Sequence, residues 1–248
     1  AHPRAAVVGP QLLNEDGTKL ATIRHPMPYG DLEEQAVQRF ASYEDLEKYD
    51  CTIEEMEEYE PYINKGMVIY AGVDYGAILR EAEKEADIVV WDGGNNDTPF
   101  YRSDLHFVVV DPHRVGHETK YHPGEVNVNM ADVFIINKCD TAEEEDITQL
   151  EENLKKVNPD AEIVRADSPL TVEDPDQIKG KKVLVIEDGP TVTHGEMPFG
   201  AGKIAAEKFG AGEIIDPREY AVGSIKETFE KYTHLKDVLP AMGYGDEQ

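Results

Sequence analysis

Three stretches between residues 86 and 140 decide the fold: ADIVVWDGG (86–94), DLHFVVVDP (104–112) and ADVFIINKCD (131–140). Each contains a near-continuous β-branched and aromatic run, namely Ile88-Val89-Val90-Trp91, Phe107-Val108-Val109-Val110 and Val133-Phe134-Ile135-Ile136. Runs of this kind mark strands covered on both faces in a parallel sheet. A polar cluster follows each run: Asp92-Gly93-Gly94 with Asn95, Asn96 and Asp97, then Asp111-Pro112-His113-Arg114, then Asn137-Lys138-Cys139-Asp140. Open parallel sheets bind their ligands at strand C-termini. The expected fold class is therefore α/β, a mostly parallel sheet with helices on both faces, and the clusters are expected to form half of a nucleotide site.

Working outward, KLATIR (19–24) reads as a short strand that runs into HPMPYG (25–30), a loop kept extended by two prolines. Residues 31–40 and 42–60 are charged and read as helices. Ser42 and Thr52 are each followed three residues on by an acid, Asp45 and Glu55, which gives two capping boxes. The run EEMEEYE (54–60) is expected to be a solvated helix face. Residues 67–79 read as strand, glycine-bearing turn and helix start. A polar helix over 143–157 ends at Asn158-Pro159, and a strand over 161–165 follows it. Pro175 and Gly180 mark a linker before KKVLVIE (181–187), expected to be the last core strand. Beyond it come a glycine-rich loop, a helix, a strand at 212–215 and a closing helix. The expected organisation is a nucleotide-binding core over 1–180 and an α/β extension over 181–248, packed on the same sheet and contributing a substrate loop.

The chain has 248 residues, with 51 Asp and Glu against 24 Lys and Arg and a formal charge of −27. That balance argues against a nucleic-acid partner and against an anionic membrane surface. The acid is spread along the chain, so a disordered acidic tail does not explain it. The expectation is a cytoplasmic protein of a salt-loving microbe, because salt screens such self-repulsion. Cys51 and Cys139 have neither disulfide nor zinc spacing and are expected to be reduced thiols. No apolar run is long enough for a membrane span. The start at Ala1, without a Met, is expected to reflect a processed, tagged or truncated chain.

Several constellations could carry chemistry. Asp92, ending an apolar strand before two glycines, suits a carboxylate that holds Mg²⁺ through water while backbone amides approach phosphate. Asn137-Lys138-Cys139-Asp140 fits N-K-x-D, in which the amide and carboxylate read a purine edge and the Lys stem packs along the ring; the plain alternative is a helix cap by Asp140. The segment from Asp111 to His117, with Lys120 and His122, concentrates positive potential in an acidic chain. It reads as a phosphate-binding loop, with zinc binding by His113, His117 and His122 or a purely structural loop as alternatives. Thr191, Thr193 and His194, followed by Phe199-Gly200-Ala201-Gly202-Lys203, form a second phosphate-friendly loop. It misses the G-x-x-x-x-G-K-[ST] template twice, since Met197 and Ile204 stand at the first glycine and hydroxyl positions. His194 and Lys203 are then contacts to an anionic substrate, or the turn serves helix packing alone.

With RHPMPYGDLEEQAVQRF, CTIEEMEEYEPYI, YAGVDY, WDGGNNDTPFY, DPHRVGHE, NKCDTA, EDGPTVTHGEMPFGAG and VGSIKETFEKY in view, the chain resembles the cyclic 2,3-diphosphoglycerate synthetase family from about residue 14 onward. These P-loop proteins carry motifs related to the GTPase class that includes metallochaperones. The resemblance implies a P-loop NTPase-like fold, ATP (or GTP) and Mg²⁺ as cofactors, and closure of a phosphoanhydride in a small anionic substrate, 2,3-diphosphoglycerate, in an archaeal cytoplasm. It implies catalytic roles for Asp92, His113, Arg114 and His194, with Asp92 organising the metal. Gly93, Gly94, Asn137, Lys138 and Asp140 would hold the nucleotide, and Arg24, His25, His117 and Lys203 the substrate. It also implies a glycine-rich G-K-S loop ahead of the RHPMPYG strand and a further N-terminal domain. Neither occurs in this sequence, so the chain is expected to be a fragment, a partner-completed half or a weakened homologue. A regulatory or chaperone-like GTPase and a nucleotide-free remnant are the alternatives, and homo-oligomer formation stays open.

Overall fold

The computed structural model describes residues 18–24, 35–93, 98–188, 192–193 and 198–241. The chain divides after Asp167 into two compact units, ahead of the Pro175 and Gly180 linker read from the sequence.

The first unit contains two ladders. One joins β1 (Leu20–Arg24), β2 (Gln38–Phe40), β3 (Val68–Ala71) and β4 (Ile88–Asp92) in the order β2-β3-β1-β4. β1 runs parallel to both β3 and β4, while β2 is antiparallel to β3. Buried side chains lie on both faces of this sheet. Phe40, Leu46, Tyr59, Tyr62, Met67 and Ile69 form one core, capped by α1 (Tyr43–Lys48) and α2 (Ile53–Ile63). Ala21, Ile23, Tyr70, Ile78 and Ala82 form the other, with α3 (Tyr75–Ala82) contributing its buried Ile78 and Ala82. Both predicted capping boxes are present. Thr52 Oγ1 accepts from the Glu55 amide at 3.3 Å and Glu55 Oε2 accepts from the Thr52 amide at 2.8 Å; the Ser42 and Asp45 box starts α1. Each such cap stabilises its helix by about 1 kcal/mol.

The second ladder is β5 (Phe107–Val110), β6 (Val133–Ile136) and β7 (Glu162–Arg165), all parallel. α5 (Glu144–Val157) covers it with Ile147, Leu150 and Leu154, three positions on one helical stripe. Glu144, Glu145 and Asp146 in its first turn and Lys155 and Lys156 in its last complement the helix dipole. Asn158 Nδ2 closes the end, donating to Ala131 O at 2.8 Å below α4 (Gly124–Met130).

Some expectations need correction. The three apolar runs do not share one ladder, because β4 belongs to the first sheet and β5 and β6 to the second. Burial on both faces holds for the first sheet and for β6, where Phe134, Ile135 and Ile136 are all buried, but not for β5 and β7. In the second, α4 and α5 pack on the side of Val110, Phe134 and Ile136, leaving Val109 58% and Val164 46% exposed. Where residues 31–40 read as helix, the described part contains β2, whose buried-exposed-buried alternation is that of a strand. Residues 31–34 of that reading lie outside the described residues. EEMEEYE is not a wholly solvated face, since Tyr59 is buried at 1% and Glu55 at 5% exposure.

In the second unit the expected single strand over 181–187 is two, β8 (Lys182–Val183) and β9 (Ile186–Asp188). β8 pairs in parallel with β10 (Glu213–Ile214), and β9 with β11 (Leu239–Ala241). Val185, Val192, Ala206, Leu235 and Val238 form its core, between the helices Ala201–Lys208 and Gly223–Lys231. Among the described residues no helix is long and apolar enough to cross a membrane.

Candidate functional site

Parallel pairing puts β1 and β4 in register so that Arg24 lies opposite Asp92 where both strands end. Arg24 Nη1 donates to Asp92 Oδ2 at 2.7 Å, and Arg24 Nη2 pairs with Glu58. Tyr62 donates its hydroxyl to the same Asp92 Oδ2 at 2.5 Å. Glu58 and Tyr62 are four residues apart on α2, hence on one helix face. Burial, and then the Asp92 carboxylate it serves, push the Tyr62 phenol far above its ordinary range, so it remains a donor. Gly93 follows Asp92 closely under the Trp91 ring, where an added Cβ would stand 2.5 Å from the indole. A side chain there would have to displace the indole. Gly94 and His25 lie outside the described residues.

The second cluster sits where β5 and β6 end side by side. Lys138 adopts φ +61, a left-handed conformation that turns its chain back, and its Nζ reaches Asp111 Oδ2 at 2.7 Å. Burial alone would raise the Asp111 carboxyl; the Lys138 ammonium and the His113 amide outweigh it and hold the group below the usual carboxylate range. His113 Nε2 is 2.9 Å from Thr141 Oγ1. The short 3-10 turn Pro112–Arg114 and the chain after it present exposed His113, Arg114, His117 and Lys120. Asn137 Oδ1 is buried and has no hydrogen-bond partner among the described residues. Asp140, two residues past Lys138, is exposed.

The GAGK turn belongs to the second unit. Buried Glu187 accepts from the amides of Gly202 at 3.2 Å and Lys203 at 2.8 Å, where the helix Ala201–Lys208 begins. An internal carboxylate thus takes up the amides that the sequence reading offered to a phosphate. Lys203 Nζ pairs with Asp237 at 2.8 Å and lies 5.0 Å from the Phe199 ring centroid. His194 lies outside the described residues.

The structure therefore joins Arg24 to Asp92 and Lys138 to Asp111, whose other oxygen accepts from the His113 amide. It adds Glu58, which the sequence reading placed on a solvated face, and Tyr62, to which that reading gave no role. Among the described residues no group of three or more His, Cys, Asp and Glu could hold a metal ion, so His113, His117 and His122 make no zinc site there. Asp92 still fits Mg²⁺, which is usually held by one or two carboxylates plus phosphates and water. Its side chain is 34% exposed, and Oδ1 takes neither of the donors that converge on Oδ2.

The mostly parallel sheets flanked by helices, with a carboxylate ending one ladder and an N-K-x-D turn ending another, fit the α/β class of P-loop NTPase-like nucleotide domains. Residues 64–166 match the P-loop domain of cyclic 2,3-diphosphoglycerate synthetase. The chain is also similar to Arginine synthetase ArcE of Thermococcus kodakarensis, 68% identical over 238 residues, which are 96% of this chain and 53% of that protein. It is 30% identical over 114 residues to cyclic 2,3-diphosphoglycerate synthetase of Thermococcus sibiricus, covering 45% of this chain and 26% of that protein. The chain thus spans about half the length of the first relative.

Proposed function

We propose that this chain is the nucleotide-binding half of an ATP-dependent synthetase of the arginine-forming kind. The match to arginine synthetase along nearly the whole chain carries this reading. Asn137, Lys138 and Asp140 would hold the base. Asn137 Oδ1, without a hydrogen-bond partner among the described residues, is an acceptor for a donor; adenine offers its exocyclic amino group, where guanine presents an oxygen. Asp92 would hold Mg²⁺, which when bound neutralises charge on the β- and γ-phosphates. His113, Arg114 and His117, exposed beside the N-K-x-D turn, would receive the phosphoryl group or an anionic substrate. A synthetase of this kind passes the γ-phosphoryl of ATP to a substrate oxygen, and an incoming nucleophile then displaces phosphate. For arginine that nucleophile is nitrogen.

A second reading, closure of cyclic 2,3-diphosphoglycerate, is favoured by the domain-family match, and there a phosphate oxygen is the nucleophile. One experiment separates the two. Every synthetase is reversible, so the full protein is given ADP, phosphate and arginine and ATP formation is followed; separately it is given ATP and 2,3-diphosphoglycerate and examined by ³¹P NMR. Arginine-dependent ATP formation supports the first reading, and a cyclic product the second. Neither product overturns both. Asp92→Asn is expected to abolish whichever activity is found.

A further inference from the structure

The cluster around Asp92 contains more than a metal-binding carboxylate requires. Two donors from different elements, Arg24 on β1 and Tyr62 on α2, converge on the same oxygen, Oδ2, and neither touches Oδ1. The Arg24 charge is already met on its far side by Glu58, so one guanidinium stands between two carboxylates and the cluster keeps a net negative charge. Tyr62 is 5% exposed, with its ring packed in the core that contains Phe40, Leu46, Tyr59 and Met67. Only its hydroxyl leaves that core, and it goes to Asp92. A phenol fixed by packing cannot follow a swinging carboxylate; it sets the plane of the carboxylate instead.

We propose that Tyr62 is the positioning residue of Asp92. Together with Arg24 it locks Oδ2 and so presents Oδ1 to a divalent cation or its bound water. This rests on the assignment of Asp92 to Mg²⁺ made above. Hydrogen-bond partners of a metal-ligating carboxylate orient it, and their loss typically costs ten- to a hundredfold in metal affinity. Glu58 serves the same end by holding the other side of the guanidinium, which keeps Arg24 on Oδ2 and away from the cation.

The chain supplies its own reporter. Trp91 is its single tryptophan and directly precedes Asp92, so Tb³⁺ bound at Asp92 is excited through the indole; exciting at the red edge of the indole band, where the twelve tyrosines scarcely absorb, keeps the sensitised emission to ions bound near Trp91. The full protein is titrated with Tb³⁺ and then with Mg²⁺ as competitor, without substrate and without reading activity. The wild type is expected to give saturable emission that Mg²⁺ displaces. Tyr62→Phe keeps the ring and its packing, and is expected to melt with the wild type yet bind Tb³⁺ about tenfold more weakly. Asp92→Asn is expected to abolish the signal. Unchanged Tb³⁺ affinity in Tyr62→Phe, with loss in Asp92→Asn, overturns the positioning role and leaves the Asp92 assignment standing. Unchanged affinity in Asp92→Asn overturns both.

Discussion

Lys138 combines two opposing contributions in one residue. Its φ of +61 is a conformation in which a Cβ is costly, by about 1–2 kcal/mol. Its ammonium pairs with Asp111, but the Lys138 side chain is 46% exposed, and a pair so open to solvent is worth about 0.2–1 kcal/mol. Lys138→Gly, which loses the pair and relieves the backbone, is therefore expected to be at least as stable as wild type. Lys138→Ala, which only loses the pair, is expected to be slightly less stable. The pair also sets a pH dependence. The folded Asp111 carboxyl lies below its unfolded value, so its contribution is present above about pH 4, the ordinary Asp value, and fades as pH falls through the folded value. The gap between wild type and Lys138→Ala in urea midpoints should be widest at neutral pH and close in acid; a gap that widens in acid would refute the assignment. The strand-end places of Asp92 and Lys138 were legible in the sequence, because Asp92 directly follows one apolar run and only Asn137 separates Lys138 from the end of another. Tyr62 and Glu58 were not. Their partners are 30 and 34 residues away in sequence, and the local signal, an acidic helix, reads the same whether a glutamate faces water or an arginine.

Element types were legible where patterning was strong, as in α5 with its apolar stripe and the β-branched runs of β4, β5 and β6. β2 was missed because a three-residue antiparallel strand is too short to outweigh the charged residues before it. The 181–187 run was misjudged differently: Val183 to Ile186 is apolar without a break, and only the partner strands β10 and β11, which come later in the chain, divide the run into two. The GAGK turn shows the same limit, because its glycines suggest phosphate and serve Glu187. Gly200 is glycine because a Cβ there would stand 2.5 Å from Glu187 Oε2. Gly200→Ala is then expected to push the carboxylate off the Gly202 and Lys203 amides, costing about 1–3 kcal/mol, the usual cost of leaving buried polar groups unpaired. Hydrogen exchange reads this locally. The Gly202 and Lys203 amides should lose protection in Gly200→Ala and in Glu187→Ala alike, while those of β6 in the first unit keep theirs. Protection retained at both amides would show that the Glu187 carboxylate is not their acceptor.

Across the whole molecule, 51 acidic side chains face 24 Lys and Arg, and the cations are shared. Arg24 serves Glu58 and Asp92, Arg165 serves Glu144 and Glu151, and Lys203 serves Asp237 and Glu207. Even with every cation engaged, a formal charge of −27 remains, and compaction brings those charges together. Added salt acts on both terms. It weakens the exposed ion pairs, each worth about 0–1 kcal/mol, and it screens the longer-range repulsion as the Debye length falls from about 10 Å near 0.1 M to about 3 Å near 1 M. Repulsion is summed over many more pairs than there are bridges, so screening is expected to dominate. The thermal midpoint should rise between those two KCl concentrations, and rise equally in NaCl, because screening depends on ionic strength and not on which monovalent cation supplies it. A midpoint that stays flat or falls would mean that the shared bridges outweigh the repulsion. A rise confined to KCl would point to bound potassium in place of screening.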